Sequence, residues 1–235
     1  MELKLILLLV IAHLLSDFIL QKQNMSDKKG SNFFSLYHVY HVIIVGITSY
    51  LFSFDLGFWK AALLLMILHL FTDMLKSWLI IKYKTKSYFF LDQFIHLASI
   101  VLIVLVYSKL YGINFIFDFE TKTVAIFAGF LFCAKPSNVL IKHMFTAFSI
   151  QIPEGTSNNP NDQGLPNAGK LIGIVERFLA LGLIIMGEYE AVGLIIAAKS
   201  ILRFSGTQKS EYVLVGTLLS FSLAAFSGIL INLIS

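Results

Sequence analysis

Apolar residues run almost unbroken through eight stretches of spanning or near-spanning length: Leu3–Leu20, Leu36–Phe54, Phe58–Ile81, Leu91–Tyr111, Lys122–Phe148, Gly169–Met186, Tyr189–Phe204 and Tyr212–Ile234. Hydrocarbon offers no partner for backbone N–H and C=O groups, so a spanning segment must be a helix or part of a closed barrel. Runs of roughly 20 apolar residues select helices. With 57% hydrophobic and 14% charged residues in 235, the expectation is an all-α, polytopic helical membrane protein with about eight transmembrane helices. The first run carries His13 and Asp17 and no small-x-small cleavage pattern follows it, so it is expected to remain as an anchor rather than a signal peptide.

The formal charge of +4 would suggest a nucleic-acid partner in a soluble domain. Here the lysines gather in short loops, Lys22, Lys28 and Lys29 after the first run and Lys82, Lys84 and Lys86 after the third, which fits the positive-inside rule and no nucleic acid. Those loops are expected in the cytoplasm, with Asp55, Glu188 and Glu190 outside and both termini outside. The single cysteine, Cys133, rules out an intramolecular disulfide and a thiolate cluster. Any bound metal must use nitrogen and oxygen.

Polar residues interrupt this apolar background at His13/Asp17, His38/His41, His69/Asp73 and Asp92/His96. An ionised Asp at the bilayer centre costs about 2.5 to 3.5 kcal/mol, so such residues pair, bind an ion or react. Residues three or four apart share a helix face, and all four pairs lie at similar depth from a predicted cytoplasmic loop. Four helices would therefore present ligands to one site, as in the carboxylate centres of helical bundles. The set suits one or two divalent ions, zinc foremost, with iron or manganese as alternatives. A single pair also suits a hydrogen-bonded strut between helices; three buried Asp without a cation would cost about 7 to 10 kcal/mol before pairing.

A weak repeat reinforces the pattern. His13-Leu14-Leu15-Ser16-Asp17 is echoed by His69-Leu70-Phe71-Thr72-Asp73, and His41 and His96 follow at nearly equal offsets. A duplicated hairpin in the first four helices would place ligands with pseudo-twofold symmetry. Gln21 and Gln93 are candidate outer partners of the ligands. Lys76 is a candidate substrate contact, although snorkelling to the interface also explains it.

The second half carries Glu176, Arg177, Lys199, Ser200, Arg203 and Glu211. Lys199 and Arg203 could clamp a phosphate or carboxylate head group, and Glu176 and Arg177 could support the site or close an ion-pair network with Glu211. Lys135-Pro136 should kink or end its helix. Gln151 to Lys170, rich in Asn, Pro and Gly, reads as a loop. The expected organisation is a four-helix metal-site half, 1–112, and a second half, 113–235, with a cytoplasmic loop at 149–168.

Several motifs resemble a bacterial membrane-protein family described only as a domain of unknown function: A-H-L-L-x-D-F-x-L-Q (Ala12 to Gln21), the His38/His41 pair, H-L-x-x-D-x-x-K (His69 to Lys76) and L-D-Q-x-x-H (Leu91 to His96). I-G-x-x-E-R (Ile172 to Arg177), A-A-K-S-x-x-R-F (Ala197 to Phe204) and E-Y-x-L-x-G-T-L-x-S (Glu211 to Ser220) extend it through the second half. The resemblance implies an integral membrane protein and no particular reaction. A looser similarity, through H-x-x-x-D at helix ends, is to membrane-bound metal-dependent hydrolases. The H-E-x-x-H of zincins, the paired glutamates of CAAX-type proteases and the fuller histidine boxes of membrane desaturases are absent.

The leading expectation is a metal-dependent hydrolase acting at the cytoplasmic leaflet on a lipid-linked phosphate or ester. Metal-activated water would be the nucleophile and Asp17, Asp73 or Asp92 the general base. A divalent-cation or proton transporter is the alternative, and an inert scaffold with a structural metal is a third.

Overall fold

The computed structural model of the protein describes residues 1–21, 25, 33–83, 88–150, 168–203 and 210–234, without the side chains of 168, 202–203 and 210–213. Lys22, Lys28, Lys29, Lys84, Lys86, loop residues 151–167 and the side chains of Arg203 and Glu211 lie outside what is described. The described residues form helices α1 (Glu2–Leu14, continued by a π-helical turn, Leu15–Leu20), α2 (Leu36–Ser53), α3 (Trp59–Tyr83, after a 3₁₀ turn, Leu56–Phe58), α4 (Phe89–Tyr111), α5 (Thr121–Cys133), α6 (Lys135–Ala147), α7 (Ala168–Met186), α8 (Tyr189–Arg203) and α9 (Ser210–Asn232).

Five segments are long and apolar enough to cross a membrane: Glu2–Leu20, Leu36–Ser53, Leu56–Tyr83, Phe89–Tyr111 and Leu214–Asn232. A sixth arises if α5 and α6 form one broken span. The expected eight is reduced because α8 has 15 residues, and Lys170, Glu176 and Arg177 crowd charge into the 19 residues of α7.

The chain divides into two compact units, Met1–Ala128 and Gly129–Ser235. This division falls later than residue 112 because the segment after α4 packs on the first unit. Ile113 joins its core, Ile116 N–H donates to Phe54 O at 2.7 Å, and Asn114 N–H donates to Asp55 Oδ2 at 3.0 Å.

In the first unit, α1 to α4 surround a core that includes Leu5, Leu9, Phe58, Leu65, Ile103 and Val104. Its outside is apolar, with Phe71, Phe94 and Leu102 at least 60% exposed, whereas its buried groups include five histidines and three aspartates. A surface of that kind suits lipid as solvent. One end of the unit is closed by Asp55, whose carboxylate accepts from Gly57 N–H at 2.8 Å, Tyr107 Oη–H at 3.0 Å and Asn114 N–H at 3.0 Å. The histidines lie elsewhere, toward the C-terminal end of α1, the start of α2, the second half of α3 and the start of α4.

Helix α5, which begins in the first unit, ends in the second at a 50° bend with α6, where Pro136 stands in the first turn of α6. This is the interruption expected at Lys135-Pro136: proline has no N–H to continue the ladder. Helix α9 lies close on α7. A Cβ on Gly228 would come within 2.5 Å of Ile184, the close approach that small residues permit between helices in lipid.

Candidate metal centre

Four helices of the first unit bring the predicted ligands together. From α1, His13 precedes the π-helical turn and Asp17 lies within it. Such turns recur at functional sites because the wider turn re-aims side chains. From α3, His69 and Asp73 stand one α-helical turn apart, the expected shared face. Helix α2 supplies His41, and α4 supplies Asp92 and His96.

The centre of the cluster is four atoms. His41 Nε2 and His69 Nε2 lie 3.1 Å apart. Asp17 Oδ1 is 3.4 Å from the first and 3.6 Å from the second. Asp73 Oδ2 is 3.9 and 3.8 Å from them. Two ligands of a tetrahedral ion with bonds of 2.0 to 2.1 Å are separated by about 3.3 Å, so these spacings are close to edges of a coordination shell. His13 Nδ1 adds a fifth atom 3.5 Å from Asp17 Oδ1.

Gln93 decides which nitrogen His13 presents. Its Nε2 donates to Asp92 Oδ2 at 3.2 Å, which leaves Oε1 to face His13 Nε2 at 3.2 Å. His13 Nε2 must therefore carry the proton, and the Nδ1 lone pair points toward Asp17. An imidazole lone pair and a carboxylate oxygen repel unless a proton or cation lies between them. Gln93 thus contacts one histidine and one carboxylate at once, the placement from which an outer partner could orient both. Gln21 also lies in the first unit, with a buried amide nitrogen that no hydrogen bond satisfies. Ser16 was not singled out from the sequence. Its Oγ donates to His13 O at 3.0 Å and lies 3.2 Å from Asp17 Oδ1; the Ser/Thr in the repeat was the available signal.

His38 is placed differently. Its Nδ1 accepts from the Ser35 N–H at 3.1 Å, capping α2, so Nε2 is the protonated nitrogen and donates to Ser77 Oγ at 3.1 Å. Both ring nitrogens are engaged away from the four-atom set, because a histidine in the first turn of a helix sits within reach of the free N–H groups there. Lys76 turns to Asp92 rather than to the interface, donating to Oδ2 at 2.7 Å. Lys76 and Asp92 also line a shallow groove between α3 and α4 with Leu75, Leu79, Leu91 and Ile95.

The remaining predicted residues have partners within the second unit. Lys199 forms an ion pair with Glu176. Arg177, 2% exposed, donates through Nε to Cys133 O at 2.7 Å, through Nη1 to Ser220 Oγ at 2.9 Å, and through Nη2 to Asn138 Oδ1 at 2.7 Å and Ala134 O at 3.3 Å. Helix α5 ends at Cys133, and the last carbonyls of a helix lack partners within it. The guanidinium caps them, so Arg177 holds the bend between α5 and α6. Asn138 and Ser220 carried no sequence signal for this.

The chain belongs to the family described as protein of unknown function DUF3307, whose profile matches residues 5–125. That span contains every member of the histidine and aspartate cluster, whereas the motifs from Ile172 to Ser220 lie beyond it. Neither a curated protein nor a solved structure matches the chain.

Proposed function

We propose that this DUF3307 protein is a membrane-embedded, metal-dependent hydrolase that acts on a lipid-linked phosphate or ester at the cytoplasmic leaflet of the bacterial membrane. The observation that carries the reading is that His41 Nε2 and His69 Nε2 lie 3.1 Å apart, each with Asp17 Oδ1 at 3.4 to 3.6 Å and Asp73 Oδ2 at 3.8 to 3.9 Å. Imidazole with carboxylate is a donor set for zinc, iron or manganese. A divalent cation there supplies Lewis acidity and lowers the pKa of water.

The groove supports a lipid substrate, since leucine and isoleucine line it and Lys76 brings a cation beside an apolar wall. Lys76 would attract the anionic group. An aspartate of the cluster with an oxygen not spent on an ion, Asp17, Asp73 or Asp92, would take the proton of the attacking water and return it to the oxygen that leaves when the phosphate or carboxylate ester bond breaks. The lysine-rich connections after α1 and α3 support a cytoplasmic location for this end of the unit.

A divalent-cation or proton transporter is the second reading. It is favoured by enclosure of the cluster, since His41 is fully buried and Asp73 is 3% exposed. Detergent-purified protein, stripped with chelator and reloaded separately with zinc, manganese or iron, should release phosphate or fatty acid from membrane lipid extract, and Asp73→Asn should abolish both turnover and bound metal. Failure to retain any of the three metals sinks the metal reading. Retained metal without turnover, together with cation uptake into proteoliposomes that depends on Asp17 and Asp92, selects the transporter.

A further inference from the structure

The repeat sets His13 and Asp17 against His69 and Asp73, and His41 against His96. The four-atom set uses His41 and leaves its counterpart His96 out. Four residues before His96 stands Asp92, where the first copy has Tyr37, so the second copy carries one more carboxylate.

That carboxylate is half used. Asp92 Oδ2 accepts from Lys76 and Gln93, while Oδ1 has no hydrogen-bond partner. It lies 3.4 Å from His96 Nε2, which also has none. Both residues are 3% exposed. Buried polar groups are rarely left unpaired, and each such group calls for an explanation. Here the two ligand-type atoms meet only each other, as an ion-pair contact without an aligned hydrogen bond, at close to the 3.3 Å or so of a coordination edge, which supplies a direct one. An Asp73 oxygen lies within 4.8 Å of the ligand atoms of both residues, and Asp73 Oδ2 also faces His41 and His69.

We propose that the cluster holds a second divalent cation, bound by Asp92 Oδ1, His96 Nε2 and an Asp73 oxygen, with Asp73 shared between two neighbouring ions. This rests on the first ion proposed above and extends it to a paired centre, the arrangement that clamps the attacking and leaving oxygens in two-metal hydrolysis. The two sites are unequal. Asp92 lines the groove, which gives the second ion a route of exchange, and the Lys76 ammonium beside Asp92 repels it. Lys76 is a built-in competitor that keeps this site the weaker of the two.

The test uses Mn²⁺ alone on full-length, chelator-stripped protein, with equilibrium dialysis for stoichiometry and electron paramagnetic resonance for proximity. Wild type should bind two Mn²⁺ per chain and give an exchange-coupled spectrum. Asp92→Asn and His96→Gln should bind one, with an uncoupled six-line signal. Lys76→Gln should bind two, the second on the order of tenfold more tightly because a like charge has gone. One Mn²⁺ in wild type that His96→Gln leaves in place overturns the paired centre and spares the first site, as do two Mn²⁺ without coupling. No Mn²⁺ in wild type removes both. Weaker second-site binding in Lys76→Gln overturns the competitor role. The wild-type spectrum needs no variant to fold.

Discussion

The two units bury polar groups on opposite terms. In Gly129–Ser235 the Arg177 guanidinium reaches four oxygens and Glu176 is paired with Lys199. In Met1–Ala128, Asp92 Oδ1, His96 Nε2 and His41 Nδ1 have no hydrogen-bond partner, and a His13 lone pair faces a carboxylate. The contrast holds within the first unit as well, where the buried Asp55 carboxylate has three donors. Among the described residues, three of the four buried side-chain atoms without a hydrogen bond belong to histidines and an aspartate of the cluster, the fourth being the Gln21 amide nitrogen. An unpaired group in lipid is costly, so its concentration in one cluster is a mark of function rather than of loose packing.

The sharpest break would come from Arg177→Met, which keeps length but uncaps the carbonyls of Cys133 and Ala134. A loss of about 1 to 3 kcal/mol for each buried oxygen left without a donor is expected, read as a lower thermal midpoint in detergent, with metal content of the first unit unchanged. A small loss would mean that Arg177 serves a ligand instead. Next in size is removal of metal. Chelation should cost wild type about 2.7 kcal/mol relative to protein held with metal at 100 times its dissociation constant. Asp73→Asn should show no chelator response, and its stripped form should be at least as stable as stripped wild type, because one of several crowded carboxylates is gone.

Gln93→Leu should lower metal affinity about 10- to 100-fold with little change in folding, measured by competition with a chelating dye. Equal affinity would remove Gln93 from its orienting role. Acidification should release metal, since protons compete for the imidazoles and carboxylates: metal held at neutral pH should be lost progressively as pH falls, followed by elemental analysis after dialysis at each pH. The smallest effect is expected at Asp118, fully exposed in the segment after α4. The hydrogen bond and charge of Lys4 hold its carboxyl below the ordinary value. A depressed folded-state pKa contributes stability that is present at neutral pH and lost as pH falls through the carboxylate range. Solvent screens an exposed pair, so Asp118→Asn should leave the neutral-pH midpoint within error.

Helical periodicity and the cost of charge in lipid made the cluster legible. His13, Asp17, His41, His69, Asp73, Asp92 and His96 were all recognisable as inward-facing from spacing alone, and the structure brings all seven into one unit. His38 shows where that logic stops. It has the same residue type, depth and spacing as His41, but its place in the first turn of α2 turns it into a cap. Lys199 and Arg177 show the same in the second half: Lys199 reads as a head-group clamp until its partner Glu176 is known, and Arg177 reads as part of an ion-pair network until the backbone carbonyls it donates to are known. The count of spans also shifted, because hydropathy marks apolar length without registering a 15-residue helix or a bend between two short ones.

By itself the sequence determined an all-helical chain with apolar exteriors, a break at Pro136, and a set of histidines and aspartates confined to one depth of the first four helices. Those are local properties, set by residue type and by a period of 3.6. Tertiary structure alone decided which nitrogen His13 presents, that Asp92 keeps one oxygen unpaired while Lys76 and Gln93 hold the other, that Asp73 faces both halves of the cluster, and that Arg177 caps a broken helix. Each depends on side chains brought together from helices far apart in sequence, and hydrogen-bond partners and ligand geometry are properties of such pairs rather than of any one residue.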